Sequence, residues 1–126
     1  MIKSKELKIY IEDTNQFKKK MKKELNYINN NKTKKIKEDS ISFQSLEQLR
    51  TFLTPKRIEL LRTIRHKEPK SIYELAKIVN RTTENVNTDV KLLKNLGFVK
   101  LKKVEENRIK VIPMVSYDKM TLEIDV

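Results

Sequence analysis

Two short amphipathic runs, separated by a break of a few residues, constrain the fold of this chain most. The run "IYELAKIV" follows Ser71, which opens the capping-box sequence "SIYE", in which the serine and Glu74 can each bind a backbone amide of the first helical turn. The run "ENVNTDVKLLKNL" follows "NRTT", where Thr82 or Thr83 can cap the next helix. Apolar residues recur every three or four positions in both runs, which predicts two helices joined by a tight turn.

Gly97 is the only glycine of the chain, and it lies one residue past the last apolar position of the second run. Helices often end there through a left-handed backbone conformation, which glycine adopts without a side-chain clash. Beyond it, "FVKLKKV" and "RIKVI" alternate apolar with basic residues around "EEN", which predicts a β-hairpin. The order predicts a winged helix-turn-helix, with a recognition helix at about 83–96 and a wing at 98–112.

The flanking segments predict further elements. "ELKIYIED" and "MTLEIDV" alternate as half-buried strands, which we expect to pair in one sheet, within a chain or between two chains. "TNQFKKKMKKELNYINN" has the apolar spacing of a helix with a lysine-rich outer face, and residues 29–39 form a predicted linker. Helical spacing resumes at Ser42, and Pro55 suits the first turn of the next helix, capped by Thr54.

The predicted fold class is therefore α+β: a winged helix-turn-helix (three-helix core plus β-hairpin wing) with an N-terminal strand-helix extension and a C-terminal strand. The predicted boundaries are residues 1–41 for the extension and linker, 42–112 for the DNA-binding domain and 113–126 for the C-terminal strand, which we expect to pair with the N-terminal strand.

Charge and composition narrow the class of function. The net charge of +12 favours a polyanionic partner, although the Lys, Ile and Asn bias of an AT-rich genome would also raise it. With no cysteine, one histidine (His66) and no glycine-rich phosphate loop, we expect no enzyme, no metal and no cofactor. No apolar run is long enough to span a membrane and no secretory signal is evident, so we expect a cytoplasmic protein.

The outward side chains of the predicted recognition helix are the candidate DNA contacts. Asparagine can pair with adenine, and threonine can meet a thymine methyl group or a phosphate, so base readout is assigned to Asn85, Asn87 and Thr88. Thr83 and Glu84 lie on the same outward surface, and Lys91 is expected to hold a phosphate.

Other candidate contacts lie outside that helix. Arg81 is expected to hold a phosphate, and Ser71 and Tyr73 to contact the DNA backbone at the start of the preceding helix. The predicted wing contributes Lys102, Lys103, Arg108 and Lys110. Any one of these residues could instead be an ordinary exposed residue, and the acidic "EE" at the wing tip would repel phosphates.

The segment from "SFQSLEQLRTFLTPKRIELL" to "KNLGFV" resembles archaeal and bacterial predicted transcriptional regulators with a MarR-like winged helix. The most specific pieces are "LTPKR", "EPKSIYELA", "NR", "LGFV", and the residues Val86, Asp89, Val90, Pro113, Tyr117 and Asp118. The resemblance covers roughly residues 42–126 and implies sequence-specific DNA binding. A His-Arg pair often precedes the aspartate in that family, where this chain has Asn87 and Thr88, so target preference is not carried over.

Three functions remain open from the sequence. The first is a transcriptional regulator that binds double-stranded DNA as a homodimer, with the first fifty residues and the C-terminal strand as its interface. The second is a winged helix that binds an acidic protein, such as a transcription or antitoxin component. The third is a low-specificity nucleic-acid coater that relies on charge. A small-molecule effector, the operator and the sign of regulation are not indicated by any motif.

Overall fold

The computed structural model of the protein describes residues 5–12, 40–105 and 107–126. The predicted lysine-rich helix, the linker at 29–39 and Glu106 of the predicted wing tip lie outside these residues. The described elements confirm an α+β class. In chain order they are β1 (Glu6–Ile11), β2 (Ser40–Phe43), α1 (Leu46–Phe52), α2 (Pro55–Lys67), α3 (Ile72–Val79), α4 (Thr83–Leu96), β3 (Lys100–Glu105), β4 (Ile109–Met114) and β5 (Lys119–Ile124). The chain divides into two compact units, Met1–Thr51 with Lys119–Val126, and Phe52–Asp118.

The first unit contains a parallel three-stranded sheet in the order β2-β1-β5. The two terminal strands, β1 and β5, are neighbours within one chain, with Ile9 opposite Leu122. Because side chains alternate between the faces of a strand, one face of the sheet is apolar and the other polar. Leu7, Ile9 and Phe43 are buried on the apolar face.

Helical spacing predicts a helix from Ser42, and this prediction is wrong at its start. Ser40–Phe43 is a strand, and the backbone N–H of Glu12 donates to the carbonyl of Phe43 (3.0 Å). The spacing from Phe43 to Leu46 resembles a helical turn, but Ile41 and Phe43 also alternate with serines as a strand requires. Pairing with β1 satisfies the backbone of this segment, and α1 begins only at Leu46.

In the second unit, α2, α3 and α4 pack on one another, and β4 packs against α2 and α3. Each helix contributes apolar side chains to the core at the predicted spacing, and Phe98 beyond α4 completes it. The buried residues are Leu60, Leu61, Ile64, Leu75, Ala76, Val86, Val90, Leu93 and Phe98.

The predicted caps are present, with one change. Thr54 and Thr82 accept the amides of Arg57 and Asn85 (3.3 and 3.2 Å), so Thr82 rather than Thr83 caps α4. The Ser71 hydroxyl oxygen accepts the amide of Glu74 (3.0 Å).

The Glu74 carboxylate, however, accepts the amide of Lys70 (3.1 Å) and not that of Ser71. The reciprocal contact of the capping box thus reaches the amide of Lys70, one residue before the N-cap.

Gly97 ends α4 with φ 100°, the left-handed conformation that the sequence predicts, and its N–H donates to the carbonyl of Leu93 (3.1 Å). The chain then enters an antiparallel hairpin of β3 and β4. The hairpin extends to Met114, two residues beyond the predicted limit of 112, because Met114 pairs with Lys100 and Pro113 pairs with Leu101.

Tyr117 connects the segment after β4 to the end of α4, because its hydroxyl donates to the carbonyl of Phe98 (2.9 Å). We expect Tyr117→Phe to lower the free energy of unfolding by about 1 kcal/mol at neutral pH. Burial raises the pKa of Tyr117 above its ordinary 10.0, so the unfolded chain ionises first as pH rises. The stabilisation by Tyr117 is therefore complete below pH 10.0 and is lost above it.

Urea unfolding of wild type and Tyr117→Phe between about pH 7 and about pH 11 checks this expectation. The difference in unfolding free energy should shrink at the alkaline end. Tyr73→Phe is the control, because the Tyr73 side chain is exposed. A difference that stays constant across the series would contradict the assigned role of Tyr117.

Candidate nucleic-acid interface

The N-terminal half of α4 presents a polar surface. Thr83, Glu84, Asn85 and Thr88 are exposed and Asn87 is half-buried, while Val86 and Val90 on the opposite side are buried. Lys91 extends the exposed surface one turn further. The alternation follows from helical spacing, since positions 84, 88 and 91 share one face. Two asparagine side chains and a threonine methyl group are thus accessible on one helix.

The hydroxyl of Thr88 is already committed, because it donates to the backbone carbonyl of Glu84 (3.0 Å). In this conformation Thr88 can accept a hydrogen bond or offer its methyl group, but it cannot donate to a phosphate oxygen. Of the two roles predicted for Thr88, contact with a thymine methyl group fits this geometry and phosphate binding does not.

Arg81 lies in an ion-pair cluster and not on an open surface. Its guanidinium contacts Oδ2 of Asp89 (2.7 Å), and Nε of Arg57 contacts Oδ1 of the same carboxylate (3.2 Å). Arg57 also donates to the carbonyl of Phe52 (2.9 Å). The arginine side chains are 21% exposed and that of Asp89 14%. These contacts give Arg81 a structural role, and its phosphate contact stays a prediction.

This Asp89 cluster (Arg57, Arg81 and Asp89) was not predictable as a cluster from spacing. Its members lie on α2, in the turn before α4 and on α4. The motifs "LTPKR", "NR" and "DV" are far apart in the sequence. Their residues Arg57, Arg81 and Asp89 meet in one ion-pair cluster. The cluster fixes α4 against α2 and the preceding turn, and so fixes the direction in which the polar surface of α4 points.

The start of α3 offers a second group. The side-chain oxygen of Ser71 caps the helix, while Tyr73 is 58% exposed. Nζ of Lys77 lies 4.6 Å from the centroid of that ring. Sequence reasoning missed Lys77, although its spacing of four from Tyr73 indicates that the two side chains are neighbours on a helix.

The hairpin separates the predicted basic residues between its two faces. Strand pairing aligns Lys102 with Ile112 and Val104 with Lys110, so Lys102 and Lys110 share one face with Lys100, which sequence reasoning missed. We call this the basic face of the hairpin, and all three lysines are exposed.

Lys103 points to the other face, opposite Val111. The exposed pair of Glu105 and Ile109 lies on that face too, and Ile109 is 62% exposed. Arg108 is exposed in the turn before β4. The predicted wing contacts therefore do not form a single group.

Among the described residues, no group of three or more His, Asp or Glu side chains could hold a metal ion. None of the described helices has the length and apolar character needed to cross a membrane. The polar surface of α4, the start of α3 and the basic face of the hairpin are the candidate site.

These features define a small α+β protein in which a helix pair with a polar outer surface leads directly into a basic hairpin. A family description covers the same region: the chain belongs to the HVO_A0114 family, whose model matches residues 52–122, more than half of the 126 residues. No curated protein matches the chain.

Proposed function

We propose that this protein is a sequence-specific DNA-binding transcriptional regulator of the MarR-like winged helix type, which acts as a homodimer in the cytoplasm. Helix α4 enters the major groove, and the hairpin after Gly97 is the wing, which follows the backbone or the minor groove. The observation that carries the proposal is the accessible Asn85, Asn87 and Thr88 on the N-terminal half of a helix that is anchored from behind by Asp89.

The chemistry of α4 suits base readout. An asparagine amide can donate to and accept from the edge of adenine, and a threonine methyl group can pack on that of thymine. The helix N-terminus carries a partial positive charge that favours nearby phosphates, although Glu84 in the first turn opposes it. The site is therefore expected to prefer A·T base pairs at the positions that α4 reads.

Phosphate contacts are assigned to three places. The basic face of the hairpin supplies Lys100, Lys102 and Lys110. Helix α3 supplies Tyr73 in its first turn and Lys77 in its last turn, and α4 supplies Lys91. Lysines of this kind bind phosphates without regard to sequence, and they make affinity fall as salt rises.

A second candidate function is the binding of another protein. It is favoured by the face of the hairpin opposite to the basic face. An exposed isoleucine beside a glutamate, Ile109 and Glu105, suits a protein surface better than a phosphate backbone. In that case the protein would bind all DNA fragments weakly.

The proposal is tested by selecting genomic DNA fragments on the purified protein and titrating the best fragment against a scrambled copy over a salt series. A regulator binds the selected fragment at least about a thousandfold more tightly at moderate salt. Equal binding of both fragments that salt abolishes together would indicate a coater, and weak binding of both would indicate the protein-binding module.

The double variant Lys102→Ala/Lys110→Ala tests the basic face of the hairpin. It should weaken binding to selected and scrambled fragments equally. The slope of log affinity against log salt should fall by about 4, since the dimer loses two phosphate contacts per subunit and each contributes about 0.9. Lys103→Ala on the opposite face is the matched control and should leave the slope unchanged. The same loss of slope in the control would contradict the assignment of faces.

A further inference from the structure

The outer edge of β5 is an exposed strand edge that lies outside the candidate nucleic-acid interface. Among the described strands β5 pairs only with β1, so it forms one edge of the sheet. Leu122 and Ile124 point to the apolar face and are still 43% and 48% exposed. The strand KMTLEI contains no proline, and no charged residue lies on its apolar face. Natural proteins often protect an exposed edge with proline or with charged residues that point inward. Strand β5 has neither, because its Lys119 and Glu123 lie on the polar face.

The opposite edge of the same sheet is different. Strand β2 has four residues, Phe43 is buried and Ile41 is half-buried. Short strands with covered side chains offer little to a partner. Of the two described edges, β5 is therefore the one that is able to extend the sheet.

The sequence of β5 is complementary to itself on its apolar face. If two copies of the strand run antiparallel about a two-fold axis at Leu122, then Leu122 opposes Leu122 and Met120 opposes Ile124. A shift by one residue would place Met120 against Glu123, on the wrong face. The register centred on Leu122 thus pairs every apolar side chain of the strand with another apolar side chain.

The polar face is complementary in the same register. Lys119 opposes Asp125 twice, once on each side of the axis, and Thr121 opposes Glu123. The next registers with the correct faces are worse: an axis at Glu123 puts two glutamates together, and an axis at Thr121 sets Ile124 against Asp118. Charge and apolarity therefore select one register.

We propose that the edge of β5 pairs with β5 of a second copy of this chain, antiparallel and centred on Leu122, so that two three-stranded sheets join into one. This pairing would be the interface of the homodimer that is part of the proposed function. Only the biological purpose of the dimer, which is DNA binding, rests on that function. This pairing brings Leu122 and Ile124 against apolar side chains of the second copy. It also gives hydrogen-bond partners to the backbone N–H and C=O groups on the outer edge of β5.

Charge reversal tests the register. Light scattering and sedimentation without DNA should give twice the chain mass of 15.0 kDa for the wild type. Lys119→Glu and Asp125→Lys each create two like-charge pairs and should raise the dimer Kd about tenfold. Glu6 also lies beside Lys119 in the same sheet, so every variant is made in a Glu6→Gln background. There the double variant Lys119→Glu/Asp125→Lys restores the pairs and should return the Kd to that of the Glu6→Gln parent. Loss in the single variants without rescue would overturn the register.

Cross-linking gives a second readout, because the chain has no cysteine of its own. Leu122→Cys should form a disulfide-linked dimer on mild oxidation. Thr121→Cys, its neighbour on the polar face, opposes Glu123 and should cross-link far more slowly, as should Ser42→Cys on β2. Equal or reversed rates would overturn the pairing, and unchanged circular dichroism verifies that each variant is folded.

The two proposals fail separately. A protein that is monomeric at all concentrations, without DNA and with it, refutes the β5 interface, while the titration of the selected fragment still decides DNA binding. A dimer with the rescue pattern above that binds no DNA refutes the regulator and supports the interface.

Discussion

Replacement of Asp89 by alanine is expected to lower the free energy of unfolding by about 2–4 kcal/mol, because it leaves two mostly buried guanidinium groups without their shared counterion. Asp89 holds Arg57 at 3.2 Å and Arg81 at 2.7 Å. One nitrogen of Arg81, Nη1, is buried and has no hydrogen-bond partner even in the intact cluster. The cluster thus contains two cations and one anion, and removal of the anion is its most unfavourable change.

Urea unfolding measures the effect, with two comparisons. Asp118→Ala removes the same residue type from a pair with Arg65, but those side chains are about 40% exposed, so the loss should stay below about 1 kcal/mol. Arg81→Met leaves Arg57 and Asp89 as a balanced pair and should destabilise less than Asp89→Ala. If Asp89→Ala and Asp118→Ala lower the free energy of unfolding by similar amounts, burial does not determine how much the Asp89 cluster stabilises the fold.

The second large effect is expected on specificity. Asn87→Ala should reduce the discrimination between the selected fragment and its scrambled copy by about 1–3 kcal/mol per subunit, or about 2–6 kcal/mol for the dimer, because each of the two recognition helices loses one bidentate base contact. Affinity for the scrambled fragment and the salt slope should stay as in wild type, since Asn87 carries no charge.

Fluorescence anisotropy with both fragments measures this discrimination. Asn95→Ala is the matched control, because Asn95 is exposed on the same helix but in its C-terminal half, and it should leave discrimination unchanged. If Asn95→Ala and Asn87→Ala relax specificity equally, or if neither does, α4 does not read bases through its N-terminal half.

Local signals in the sequence were enough for the helices and the hairpin. Thr54, Ser71 and Thr82 act as caps, and Gly97 has the positive φ that its position suggests, because each depends on neighbours within a few residues. Ser42 and Phe43 belong to a strand and not to the predicted helix, because the local spacing fits both structures and the partner strand β1 is far away in the chain.

The candidate site also divides into features that follow from local sequence and features that depend on distant contacts. Exposure along α4 follows from helical period, so the accessible Asn85 and Thr88 were predictable. Arg81 was not, because its partner Asp89 is two helical turns away on α4 and the same carboxylate also holds Arg57 from another helix. A basic residue near a turn has the same local sequence whether it faces solvent or a carboxylate.

The parallel pairing of β1 with β5 has a kinetic consequence. Glu6 is aligned with Lys119, so this sheet joins positions that are separated by nearly the whole chain, and closing so long a loop carries a large entropic penalty. Helices α2, α3 and α4 follow one another directly between Pro55 and Leu96, so their contacts close shorter loops and are expected to form earlier. We therefore expect the sheet to form late in folding, so that both edges of β5 stay exposed until β1 pairs with it.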